Sequence, residues 1–512
     1  MQSLEYSSPN ANIPLIPSNP SNLTICTSLS KIPSKENQSN EEILSEELII
    51  EEKTPFFLVK PKYQFTPSIR DHSSDEELGE NHAEEPSKGG ALKAIMYLMN
   101  TIIGGGVVSL PFVMSNFGII LGLFIYFMVY VMTMFSCLLL LRVKNNSKRA
   151  HYGTIGTFCF GYKGKMAIDI IIIINNFGMC MSYFIIFGQN LEKIIQETVQ
   201  IEAWWTYKYL WIVIIWLVIL PFVFYKNFDR LKFVSILSTT SIIIYFLLTI
   251  YNFFNKWANN TLALDINVFP NSSFDFKKGM GSFPSVFLAY TFQYNFFPIY
   301  KTIQDVNDKK MMWISFWALT LVLVIYSIVG VCGYLSYGNQ IQTNFLKSIE
   351  IQDIGPFFYY LLLIAFSTAV SFSVPLFFFG CRNYLLSLYQ DIKKFCIDKQ
   401  KERNLDEFKV KKPWSQRRHI QNKKQTDLIF FWVTVILYVV VLIFATFLKE
   451  IGPIFNIVGA ICANTISFLL PAAFYLKVRR KKFFVYKLAW VLFGVGLVTG
   501  VLSLGGEIAL MV

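Results

Sequence analysis

From Ala91 almost to the end of the chain, long apolar runs alternate with short polar stretches. A bilayer core about 30 Å thick asks for about 20 apolar residues per helix, and these runs meet that length. They predict eleven membrane helices, at 91 to 114, 118 to 141, 166 to 190, 209 to 224, 233 to 253, 282 to 300, 312 to 334, 356 to 380, 427 to 448, 452 to 475 and 484 to 504. Residues 1 to 87 follow no such pattern. They are rich in Ser, Asn, Pro and Glu, with the cluster Glu41, Glu42, Glu46, Glu47, Glu51, Glu52, and such a stretch cannot bury enough apolar area to offset its ordering entropy. The expected organisation is a disordered acidic cytosolic tail over 1 to 87 and a membrane domain over 88 to 512. The tail lacks a basic stretch followed by a short apolar core, so the first membrane helix is expected to direct insertion.

Composition supports the membrane reading. The chain is 54% hydrophobic and 16% charged, with a mean hydropathy of +0.44, which a water-soluble fold could not accommodate. A net charge of +12 would suit a nucleic-acid partner, but its placement excludes one. The tail holds fifteen acids against six bases, whereas the loops at 142 to 165, 225 to 232, 301 to 311, 381 to 426 and 476 to 483 together hold thirty Lys and Arg. The intervening loops hold seven. Under the positive-inside rule the basic loops face the cytosol, and an odd helix count then puts the C-terminus outside or in a lumen. The sequons at Asn259 and Asn271 share one outward loop. The basic loop at 381 to 426 could touch anionic lipid headgroups or simply be solvated. The eight cysteines show no paired ligand spacing and read as buried structural thiols.

The chemistry concentrates at a few polar positions inside the apolar runs. The first run contains Asn100-Thr101-Ile102-Ile103-Gly104-Gly105-Gly106-Val107-Val108-Ser109-Leu110-Pro111. Glycine costs about 1 kcal/mol relative to Ala in a helix interior, so a triple glycine predicts an unwound centre, or else a small-residue packing interface. Unwound backbone at membrane depth must face protein or a water-filled site. Its amides could hold a carboxylate and its carbonyls a cation or an ammonium, which together suit a zwitterion. The sixth run adds Thr291, Gln293 and Asn295, which could line the same site or only hydrogen-bond between helices. The third contributes Asn175, Asn176, Gly178 and Tyr183, and the eighth Ser367, Thr368, Ser371 and Ser373. Thr368 and Ser371 share a helix face, where hydroxyls could hold sodium or bond back to their own helix. Asp169 sits near the inner end of the third run, Glu507 is expected beyond the end of the last, and all four histidines lie outside the spans. No nucleotide, zinc or nucleophile motif stands out, so neither an enzyme nor an ATP-driven pump is expected.

At these residues the chain resembles the amino acid/auxin permease family, particularly its sodium-coupled neutral amino acid transporter branch. The pattern is carried by Asn100 through Pro111, by Gln293 with Pro298-Ile299-Tyr300, by Gly333 through Gly338, and by Ala369 through Pro375. The resemblance implies a bacterial leucine transporter-like fold: five helices repeated inverted as five, an eleventh appended, and helices one and six unwound around the substrate. The candidate substrate residues are Asn100, Thr101, Gly104, Gly105, Gly106, Tyr183, Thr291, Gln293 and Asn295; the resemblance puts Asn100 and Ser371 at positions associated with sodium, which Thr368 could join. The chain departs from the pattern in its third glycine, in serines where threonine is familiar, and in lacking a cysteine between 254 and 280. The expectation is a secondary active transporter of neutral amino acids, coupled to sodium or protons, in a plasma or vacuolar/lysosomal membrane. The alternative is an amino acid sensor of the same fold that binds without net transport.

Overall fold

All eleven predicted runs are helical, and their interruptions carry the information. The structure is a computed structural model that describes residues 91–199, 203–225, 232–270, 275–303, 306–403, 416–448, 450–478 and 483–511. The expectations for the tail, for Asn271 and for the centre of the 381 to 426 loop lie outside the described residues.

The first run is α1 (Ala91–Ile102), a 3-10 turn at Gly105–Ser109 and α2 (Leu110–Phe117). Then come α3 (Ile119–Ser147), α4 (Tyr152–Val199), α5 (Lys208–Val223) and α6 (Lys232–Ala258). The sixth run is broken into α7 (Phe276–Ser282), α8 (Pro284–Ala289) and α9 (Gln293–Thr302). The chain continues through α10 (Asp308–Tyr337), the short α11 (Ile351–Ile354), α12 (Pro356–Arg403) and α13 (Gln416–Phe447). The tenth run is α14 (Gly452–Val458), two π-helical turns at 459–463 and 465–469, and α15 (Leu470–Val478), and the last is α16 (Phe483–Met511). No strand occurs among the described residues. Among the described residues, eight helices are long and apolar enough to cross a bilayer, and the bent first run makes a ninth. The 16-residue α5 and the broken sixth run are the two remaining predicted runs.

Several elements extend beyond their predicted runs, α4, α12 and α16 among them. α4 begins at Tyr152 and kinks at Gly161, whose φ of +71° suits a residue without a Cβ. α12 continues to Arg403, because a helix leaving the bilayer can proceed on polar residues that a hydropathy reading discards. α16 reaches Met511, which corrects the expected position of Glu507: it lies inside the helix and is buried. Gly281 of α7 and Gly506 of α16 let these helices touch, since a Cβ on Gly506 would lie 2.9 Å from the Gly281 nitrogen. Beside this contact, Asn456 Nδ2 donates to Glu507 Oε2 at 2.9 Å, and Ser285 Oγ of α8 donates to Asn456 Oδ1 at 2.7 Å.

α4 and α12 pack antiparallel, and their seam positions the centre of the molecule. Contacts step from Asn190 with Ser367 at 2.9 Å, through Cys180 with the Val374 carbonyl at 3.8 Å, to the Lys165–Asp391 ion pair at 2.8 Å. Tyr183 sits midway along it, its ring edge-on to Phe377 at 5.4 Å. Cys137, Cys159, Cys180, Cys381 and Cys462 are buried free thiols, as expected of packing residues.

Candidate substrate site

The triple glycine ends α1. Ile103 and Gly104 leave the helix, Gly104 is extended at φ −127° and ψ −159°, and the chain resumes 53° away from its former direction. The glycines matter for what approaches them. A Cβ on Gly105 would lie 2.4 Å from Tyr183 Cε1, and one on Gly106 would lie 3.0 Å from Ala289 Cα, so here the two broken runs meet backbone to backbone. The fully buried Tyr183 hydroxyl accepts the Gly105 N–H at 3.0 Å. That bond leaves its own hydrogen available.

The sixth run breaks without a glycine. Tyr290, Thr291 and Phe292 leave the helix, and the buried Gln293 caps the restart, its Oε1 accepting the Phe292 N–H at 2.9 Å. Ser467 Oγ, aimed by the second π-turn, donates to the same oxygen at 2.8 Å and lies 3.0 Å from Thr291 Oγ1. Gln293 Nε2 has no hydrogen-bond partner among the described residues.

A small cavity of about 10 Å³, room for one water molecule, lies between the breaks. Of the predicted residues, Thr101, Gly104, Gly106, Tyr183 and Thr291 line it, and Gly105 reaches it through Tyr183. Asn100, Gln293 and Asn295 do not. Asn100 Oδ1 instead accepts from Thr239 Oγ1 of α6 at 2.9 Å. On α12, Thr368 bonds back to the Ala365 carbonyl at 2.8 Å, whereas Ser371 Oγ is buried without a partner among the described residues. Ile102, Asn175, Met179, Leu288, Ala289 and Phe377 complete the lining, and the buried Asn175 Oδ1 is likewise without a partner among the described residues. Reading the sequence noted Asn175 as polar at membrane depth but did not bring it to the glycines. It missed Ser467 and Tyr326, whose only signal is a hydroxyl in the middle of an apolar run.

Both ends of this region are tied. On the face where α3 ends, Lys144 Nζ donates to Asp308 Oδ1 and to the Tyr300 hydroxyl of α9, each at 2.7 Å. On the opposite face, Lys256 of α6 pairs with Asp353 at 2.9 Å, and the Tyr337 hydroxyl donates to Asp353 Oδ2 at 2.6 Å.

Two broken helices facing one another across a buried polar gap suit a transporter, and comparison with known proteins bears this out. The profile of the family described as transmembrane amino acid transporter protein matches residues 87–510. The chain belongs to that family. It resembles the branch of sodium-coupled neutral transporters. It is 27% identical over 467 residues to the sodium-coupled neutral amino acid symporter 2 of Danio rerio, covering 86% of each chain. It is 24% identical to the human sodium-coupled neutral amino acid transporter 4, covering 81% of this chain and 82% of that one. Among solved structures it matches a nucleobase-cation-symport-1 family transporter in a closed conformation with bromovinylhydantoin bound, at 13% identity and a TM-score of 0.48, over 82% of this chain and 89% of the other. This member of the family is thus a multi-pass membrane transporter and not an enzyme, with the amino acid transport function its relatives carry.

Proposed function

We propose that the chain is a secondary active transporter of neutral amino acids that binds its substrate as a zwitterion between the two breaks. The observation that carries this reading is the pairing of opposite helix ends in one buried gap. α1 and α8 end there at their carbonyl poles, while the 3-10 turn and α9 begin there at their amide poles. A carboxylate is taken by the amides of the Gly104 to Gly106 break and by the Tyr183 hydroxyl hydrogen, and an ammonium by the freed carbonyls. Met179, Leu288 and Phe377 leave an apolar remainder for the side chain, which suits neutral substrates. A cavity of about 10 Å³ cannot hold an amino acid, so binding requires the breaks to separate, and alternate release of the two end ties would open it to either side.

Sodium is the coupling ion this donor set favours. Ser371 supplies a buried oxygen without a partner among the described residues, and Thr368 and Asn100 offer further oxygens that a hard cation accepts. The basic loops set the proposed orientation, with the start of α1 in the cytosol and the end of α16 outside or in a lumen. Residues 1 to 87 form a separate cytosolic tail in this arrangement. Reconstituted protein should accumulate labelled neutral amino acids down an inward sodium gradient, and accumulation should collapse when choline replaces sodium. Binding without accumulation would establish the sensor instead, and accumulation driven only by a proton gradient would replace the ion.

A further inference from the structure

The two carbonyl poles at the breaks are not left open. The Tyr326 hydroxyl of α10 stands between them, 3.2 Å from the Ile102 carbonyl at the end of α1 and 3.0 Å from the Ala289 carbonyl at the end of α8. A phenol has one hydrogen, so the two acceptors share it. Tyr326 is fully buried, and its ring stands edge-on to Tyr290 with centroids 5.2 Å apart. Ile102 and Ala289 both line the cavity. Tyr326 and Tyr183 therefore play opposite parts. Tyr183 accepts from an amide and keeps a hydrogen to give, whereas Tyr326 has already committed the hydrogen it has.

We propose that Tyr326 is an internal stand-in for the substrate ammonium: it satisfies both carbonyls while the site is closed, and a primary ammonium displaces it from them when an amino acid binds. This rests on the transport reading above and deepens it. An ammonium brings three donors and a full charge where the hydroxyl brings one hydrogen and none, and charge-assisted bonds are about twice as strong as neutral ones. The exchange thus favours the ligand. A carboxylic acid without the amino group could reach Tyr183 but has nothing to offer the carbonyls. Tyr326 therefore enforces the requirement for an α-amino group, and it competes with the substrate instead of binding it.

Tyr326→Phe keeps the ring and removes the competitor. Thermal unfolding of the purified protein should be followed with each of the twenty standard amino acids, and with the desamino acid of the one that stabilises most. Without ligand the variant should unfold below wild type. The amino acid should recover that loss and bind about fivefold more tightly than to wild type, the share expected of one hydrogen bond. The desamino acid should bind both proteins alike. Equal destabilisation with and without the amino acid, at unchanged or weaker affinity, would make Tyr326 a plain interhelical tie and overturn the proposal. Equal tightening for the desamino acid would overturn it too. If none of the twenty stabilises wild type, the transport reading itself fails, a distinct outcome. Should Tyr326→Phe not fold, 3-fluorotyrosine at position 326 gives a second measurement. Its fluorine resonance should move with the amino acid and stay with the desamino acid, and a resonance unmoved by the amino acid overturns the proposal.

Discussion

Lys144 and Asp308 meet at 2.7 Å where α3 ends and α10 begins, and the Tyr300 hydroxyl bonds to both. Tyr300 is on α9, the later half of the broken sixth run, so the trio ties that half-helix to its neighbours. Asp308→Asn should loosen this end. A partly exposed ion pair of this kind contributes at most about 1 kcal/mol, so the variant should remain folded. A cysteine introduced at the buried Ile303, just after α9, should then react faster with a thiol reagent applied from the cytosolic side, and uptake should fall. An unchanged labelling rate would show that α9 is held by packing alone.

At the Gly104 to Gly106 break, Tyr183→Phe leaves the Gly105 N–H without its acceptor and takes away a donor to the carboxylate. A hydrogen bond to a charged group contributes about 1.5–3 kcal/mol, so loss of the one to the carboxylate should lower amino acid affinity roughly tenfold or more, measured by equilibrium binding. Wild-type affinity in this variant would remove Tyr183 from the site.

Gly105→Ala and Gly106→Ala should differ in kind. The first Cβ meets a side chain, the fully buried Tyr183 ring at 2.4 Å, whose displacement also breaks the hydroxyl's bond to the Gly105 N–H, so transport should be lost with a stability loss of about 1–3 kcal/mol. The second meets backbone, with Ala289 Cα at 3.0 Å, and should lower transport while costing more stability than the first. Equal stability losses would mean that the glycines serve packing only.

Ser371→Ala should raise the sodium concentration for half-maximal uptake several-fold, with a smaller change in the amino acid concentration needed. The buried hydroxyl has no other partner among the described residues to explain a loss. Sodium dependence identical to wild type would detach Ser371 from the ion.

Asn259 is exposed in the loop after α6, which the charge distribution places outside. Enzymatic removal of glycans should shift the gel mobility of wild type, and the shift should shrink in Asn259→Gln. Reaction of a label at this loop only from the cytosolic face would invert the orientation.

The legible features are those written in local chemistry. The eleven runs are visible because each must be apolar through its own length, and the first break because adjacent glycines weaken a helix wherever they stand. The second break is not, since Tyr290, Thr291 and Phe292 include no glycine. It is held by Gln293 capping its own restart with Ser467 pressed on it, a contact 174 residues apart in the chain. Asn175 and Tyr183 show as polar groups at membrane depth, but only the α4–α12 seam decides that they face the glycines. Tyr326 could not be assigned from the sequence, because its meaning lies in which two carbonyls it meets. The late end of α12 escapes hydropathy because helix persists where apolarity stops, and that of α16 because Gly505, Gly506 and Glu507 interrupt an apolar run that resumes at Ile508.

The close contact of Gly281 with Gly506 makes α16 a vantage point for watching the protein at work. α16 grips α7 through these glycines and reaches α8 through Glu507, Asn456 and Ser285, so displacement of the first half of the sixth run should carry the last helix with it. Val501 on α16 is 65% exposed, facing away from that grip. A spectroscopic probe there would sit far from the substrate chemistry and still sense each excursion of the broken helix, so that opening and closing could be timed in a protein whose binding gap is left chemically untouched.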